Sequence, residues 1–203
     1  MKSPIVSALA AVMLIGSLQG AAAGLLISGG TGGQSATAEA TSPFPLNLVG
    51  SVGGSLYAQD AGLYSFTYMG LGNPTFTNTF SVSGCGSTFI GYSTAIGTTF
   101  SCTFAANTLI PFTFGANTTG TPQTVSDGQA YNNGLGYLVA MTNSTSTGAS
   151  AFIGLSDGGS ATDHDYQDLV VQVNEIPEPG ALLLLAAGLL GLGLARGRGL
   201  VGG

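Results

Sequence analysis

The chain of 203 residues has no tryptophan, one histidine and two cysteines, and only 3 lysines and arginines stand against 9 acidic residues. Charged side chains make up just 6% of it. The three cations, Lys2, Arg196 and Arg198, all stand near the ends, so the long central part has none. A surface without lysine or arginine cannot neutralise phosphates, which excludes nucleic-acid binding and attachment of the central part to anionic lipid. No acid there can form a salt bridge with a neighbour in the same region. His164 alone, with no second histidine, supplies no zinc ligand set. The absence of tryptophan removes the best sugar-stacking platform and leaves tyrosine for that task.

What is abundant points to sheets. The chain holds 34 glycines and is 44% hydrophobic, with serine, threonine and asparagine throughout. Those polar residues and glycine are poor in helix interiors, whereas Thr, Tyr, Phe and Val suit a pleated surface. Short apolar segments with turn signals between them recur over residues 46–52, 63–68, 75–82, 87–92, 98–104, 110–114, 136–142, 149–154 and 169–173. Phe112 and Phe114 flank Thr113, and Phe100, Cys102 and Phe104 alternate with Ser101 and Thr103. Such period-two alternation predicts an all-β domain, an antiparallel β-sandwich or jelly roll, over residues 46–174. Residues 24–45, rich in Gly, Ala, Ser and Thr, read as a flexible leader, although Leu25, Leu26 and Ile27 suit a first strand. The polar, Gly-rich stretch 115–133 reads as a long surface loop.

Two further segments bracket this domain, and each is expected to be a helix. Residues 1–23 have the build of a signal peptide: Lys2 is its positive start, an apolar stretch follows, and Ala21 and Ala23 mark a small-residue cleavage site. Its partners are then the Sec translocon and a signal peptidase. Export makes a disulfide between Cys85 and Cys102 favourable, closing a loop of about 17 residues worth roughly 3 kcal/mol in the chain-entropy model. The alternative is a pair of buried free thiols. Residues 175–203 carry Pro177, Glu178 and Pro179, then an apolar run over 181–195, then Arg196 and Arg198. As a helix that run reaches about 22 Å, a marginal span of the inner membrane. Arginines kept in the cytoplasm place the acidic domain outside, the topology that the other end also gives.

This tail resembles the PEP-CTERM sorting signal of Gram-negative bacteria, in the order Pro177-Glu178-Pro179, short Leu/Gly/Ala helix, arginines. The resemblance covers about 25 residues. It implies recognition by an exosortase-type sorting protease, processing near the Pro-Glu-Pro element, and release to the cell surface or to an exopolysaccharide matrix. Gly197 divides the basic pair, and five residues follow Arg198.

The most suggestive chemistry inside the domain is the run from Asp157 to Asp168, which holds Asp157, Asp163, Asp165 and Asp168 and leads into Leu169-Val170-Val171. Four carboxylates with no cation nearby repel by about 3 kcal/mol per pair at about 5 Å and an effective dielectric near 20. A hard cation reverses that sign, and calcium takes carboxylates and carbonyls from Gly-containing loops, so these four are the candidate Ca2+ ligands. The competing reading is an acidic turn in which Asp side chains bond local amides. Asp163, Asp165, Tyr166 and Asp168 also resemble the end of a sugar-matrix-associated β domain found before such tails, as do Phe66-Thr67-Tyr68 and Asn78-Thr79-Phe80 more faintly. That group carries no assigned activity. Gly154-Leu155-Ser156-Asp157-Gly158 matches a nucleophile elbow, yet the strand-turn-helix setting is missing and the lone histidine follows eight residues later, so no catalytic residue is assigned. The expected function is a non-enzymatic surface or biofilm-matrix protein. The alternative is a module binding extracellular polysaccharide, with Tyr131, Tyr137 and Tyr166 as stacking faces; an exported hydrolase ranks behind both.

Overall fold

The computed structural model describes residues 24–35, 48–72, 76–118, 121–132, 134–143, 147–157, 165–176 and 188. The signal segment with Ala21 and Ala23, the sorting tail with Pro177, Glu178, Pro179, Arg196 and Arg198, and also Asp163 and His164, lie outside these residues. No helix among the described residues is long and apolar enough to cross a membrane.

Strands dominate. In chain order they are β1 (Leu25–Ser28), β2 (Thr31–Ser35), β3 (Val49–Val52), β4 (Ser55–Ala58), β5 (Gly62–Gly70), β6 (Asn78–Val82), β7 (Thr88–Ile90) and β8 (Thr99–Phe104). The second half adds β9 (Thr108–Leu109), β10 (Phe112–Thr118), β11 (Thr121–Ser126), β12 (Tyr131–Asn132), β13 (Leu135–Met141), β14 (Thr147–Gly148), β15 (Ser150–Ser156) and β16 (Leu169–Ile176). A short 3-10 turn, Gly91–Ser93, follows β7. The largest sheet runs β2-β3-β13-β15-β16-β5-β8, with β12 alongside β13. Two four-stranded sheets, β11-β10-β6-β7 and β14-β1-β4-β9, complete the sandwich. All strand pairings among the described residues are antiparallel.

Period two sorts the large sheet into its faces. Tyr137, Val139 and Met141 of β13 stand opposite Leu155, Ile153 and Ala151 of β15, which stand opposite Leu169, Val171 and Val173 of β16. All nine enter one core with Tyr64, Phe66 and Tyr68 of β5 and with Leu56, Phe80, Phe112 and Phe114 of the smaller sheets. Aromatic rings close the layer: Phe66 lies 6.1 Å from Phe80, and Phe112 meets Tyr137 edge-on at 5.0 Å. The intervening residues Leu138, Ala140, Phe152 and Val170 join a second buried cluster with Leu48, Val52 and Tyr166. The central strands are therefore apolar on both faces, which is why β13 is buried along its whole length.

The structure departs from the sequence expectation in two places. The described part of the stretch expected as a loop over 115–133 is largely strand: β10 pairs with β11, with Phe114 opposite Val125, and β12 pairs with β13. Pro122 and Thr124 are the exposed positions of β11, and Gln123 puts a polar residue on the same side as buried Val125, so the segment's polarity hid its period. The first part of the expected leader is also strand, because β1 pairs with β4 and β2 with β3.

Cys85 and Cys102 are joined in a disulfide, with Cα atoms 5.6 Å apart. Cys85 lies beyond the end of β6, and Cys102 lies in β8, the outermost strand of the large sheet. The bond therefore staples the two layers at one edge, beside the ring contact of Phe89 with Phe100 at 5.0 Å. Replacing both cysteines by alanine is expected to cost about 3 kcal/mol, roughly 6–12 °C in melting temperature for a chain this size. Calorimetry of the double variant beside wild type checks it, and equal melting temperatures refute the staple's contribution.

Candidate functional site

The last pair of the β15–β16 ladder is Leu155 with Leu169, and the acids stand just beyond it. The Asp168 backbone N–H donates to the Leu155 carbonyl at 2.9 Å. The Asp157 N–H then donates to Asp168 Oδ2 at 2.6 Å, so a side chain replaces the next backbone rung. From the other layer, Asn78 at the start of β6 reaches over both. Its Nδ2 donates to Asp157 Oδ2 at 2.7 Å and to the Asp168 carbonyl at 3.1 Å. The Phe76 N–H adds a longer bond to Asp157 Oδ2, 3.3 Å.

This knot is dry. Asn78 is 0% exposed, Asp157 3% and Asp168 2%. Desolvation pushes the Asp168 carboxyl well above its ordinary range, and the charges of Asp157 and Asp165 push the same way. A hydrogen bond between the Asp168 and Asp157 carboxyl groups also raises it, while the Asp157 N–H acts against the rise. Three polar atoms at or beside the knot have no hydrogen-bond partner although they are buried: Asn78 Oδ1 and both amide atoms of Gln167. The chain enters through Tyr166, whose φ of 25° is uncommon for a non-glycine residue. Its ring turns to the second core, where its hydroxyl meets that of Tyr131 at 2.9 Å. Gly72 lies so close that an added Cβ would stand 2.6 Å from Gln167 Cγ, and its N–H donates to the Gln167 carbonyl at 2.6 Å.

Of the four candidate calcium ligands, the structure brings Asp157 and Asp168 together and inside. Asp165 is half-buried and acts on Asp168 through its charge. Among the described residues, no three His, Cys, Asp or Glu side chains gather in a metal-holding group. The residue that sequence reasoning did not assign to the site is Asn78, distant in the chain from Asp157 and Asp168. Only its faint family resemblance pointed to it; nothing in its local pattern says that its amide reaches two aspartates across the layer.

Other expectations are corrected. Tyr137 and Tyr166 are fully buried and Tyr131 is half-buried against the second core, so none is an open stacking face. The tyrosine that stands out is Tyr92, 69% exposed. Near it, a cleft of about 480 Å³ is lined by Tyr68, Leu71, Tyr92, Thr94 and Ile96, among others. A neighbouring cleft of about 420 Å³ carries the hydroxyls of Ser87, Thr88, Ser93, Thr94, Thr98 and Thr99. Ser156, the centre of the elbow-like pentapeptide, is the buried last residue of β15.

Another acid, the half-buried Asp127, follows β11. Its Oδ1 accepts from the Leu56 N–H at 3.3 Å, while Oδ2 is buried with no hydrogen-bond partner. Burial pushes its pKa up from 3.8 to about 7, although the backbone N–H groups of Leu56 and Gly128 favour the charged form.

No protein-family model matches the chain, and no curated protein matches it. Among solved structures it is similar to the C-terminal domain of BC2L-C lectin from Burkholderia cenocepacia, at 19% identity over 58% of this chain and 90% of that one. The TM-score is 0.35, too loose a superposition to carry an argument about fold or ligand.

The raised pKa of Asp127 sets a sign for pH dependence. Its neutral form is the one the fold prefers, so its contribution is complete below about pH 4 and is lost as pH rises through about 7. Asp127→Asn keeps an oxygen for the Leu56 N–H and cannot ionise. The variant is expected to lose less melting temperature than wild type between those two pH values, by several degrees. Melting curves across that range check it, and parallel slopes refute it.

Proposed function

We propose that this chain is an exported, non-enzymatic protein of the bacterial surface or biofilm matrix, whose β-sandwich is the displayed part. One structural observation carries the reading furthest: the disulfide between Cys85 and Cys102, which belongs to oxidising compartments and is rare where thiols are kept reduced. The ends of the sequence supply the route. A signal peptide ending near Ala21 and Ala23 takes the chain to the Sec translocon, and the tail with Pro177, Glu178, Pro179, Arg196 and Arg198 offers an inner-membrane anchor for an exosortase-type protease. The domain between them has no lysine or arginine to bind an anionic surface. Its role is then mechanical or adhesive. Expression in cells with and without the sorting protease tests this. The protein is expected as a larger membrane-bound form when the protease is missing and as a shorter surface or matrix form when it is present. Unchanged mass and location in the two strains defeat the reading.

A second reading is that the module holds a neutral saccharide, and the surface around Tyr92 favours it. An exposed phenol ring on the wall of a largely apolar cleft, next to a second cleft lined by Ser and Thr hydroxyls and with no charged lining residue in either, suits polyol hydrogen bonding with a ring face for stacking. Pull-down on neutral polysaccharides is expected to retain wild type and to release Tyr92→Ala. Equal retention of the two proteins, or none of either, counts against it.

A further inference from the structure

We propose that Asp157, Asp168 and Asn78 form a site for a hard divalent cation of the calcium class, and that the bound ion locks the two layers of the sandwich together. The inference does not depend on where the chain is delivered.

Two aspartates in contact, 3% and 2% exposed, make an arrangement that proteins keep only with a compensating partner, since buried charges are paired or coordinate metals. No lysine or arginine in the domain can be that partner. The two carboxylates alone do not define a site. The independent observation is Asn78, whose Nδ2 donates to the Asp157 carboxylate and to the Asp168 backbone carbonyl and whose Oδ1, in the same amide, is fully buried with no hydrogen-bond partner. An amide oxygen left so is costly, and a cation removes that cost. Gln167, next to Asp168 and 0% exposed, leaves its own amide oxygen without a partner as well. The donors are then carboxylate and amide oxygens with no nitrogen or sulfur, the set that selects calcium over zinc or copper.

Position gives the ion a structural role. Asn78 belongs to β6 in the β11-β10-β6-β7 sheet, whereas Asp157 and Asp168 border β15 and β16 in the large sheet. An ion held by all three bridges the layers as the disulfide does, through a different pair of elements. The competing occupant is a proton shared by the two carboxyl groups, which satisfies the aspartates and leaves the Asn78 oxygen as it is.

The test uses the purified protein after chelator treatment, titrated with calcium chloride at neutral pH and followed by calorimetry and thermal melting. Wild type is expected to bind with a dissociation constant on the order of 0.1–1 mM, in the range of extracellular calcium modules, and to melt several degrees higher when saturated. Asp168→Asn is expected to weaken binding by about tenfold or more, while in chelator it melts no lower than wild type because one of two abutting acids is gone. The proposal is overturned by no heat and no melting shift at about 10 mM calcium, by an equal melting shift with magnesium, or by wild-type affinity in Asp168→Asn. Should that variant not fold, terbium luminescence on wild type decides. Tyrosine-sensitised emission that calcium quenches by competition supports the site, and its absence overturns it.

Discussion

The inner row of the large sheet, packed against the aromatic rings of the smaller sheets, is the contact on which the other features depend. Tyr64, Phe66 and Tyr68 on β5 continue the row built by β13, β15 and β16, and Phe80 stands across from it with Phe89, Phe112 and Phe114 around it. With no lysine or arginine inside the domain, burial of apolar area is the main driving term, at roughly 25 cal/mol per Å². The disulfide and the acidic knot matter because each ties the same two layers at another place.

The shortage of charge shapes the remainder. A chain with so few ionic groups can bury an acid only where backbone amides or side-chain amides receive it. Asp157 is held by Asn78 and the Phe76 N–H, and Asp127 by the Leu56 N–H. In each case the carboxylate ties together parts of the chain far apart in sequence. These acids are thus bolts between elements, and the burial that makes them effective also raises the pKa of Asp127 and Asp168. The solvent side offers hydroxyls and the ring of Tyr92, so recognition at that surface rests on shape and neutral hydrogen bonding.

Much of this was legible beforehand where the side-chain period was clean. The segments around Phe100, Cys102 and Phe104, and around Phe112 and Phe114, became β8 and β10, and the alternation placed Cys102 on the inward face where it meets Cys85. The pairing of β10 with β11 was missed because Gly115, Asn117 and Gln123 blur an alternation that only the pairing partners restore. The tyrosines were misjudged for a related reason. A tyrosine's ring and hydroxyl suit an open face or a buried one equally, and the opposing layer decides which.

The sequence alone determined the absence of cations from the domain, the all-β character of its periodic segments, and the gathering of acids before β16, because composition and period are local properties. The tertiary structure decided which of those acids meet and what receives them. Asn78 joins Asp157 and Asp168 because two sheets stack, and no local pattern encodes a contact made across a layer.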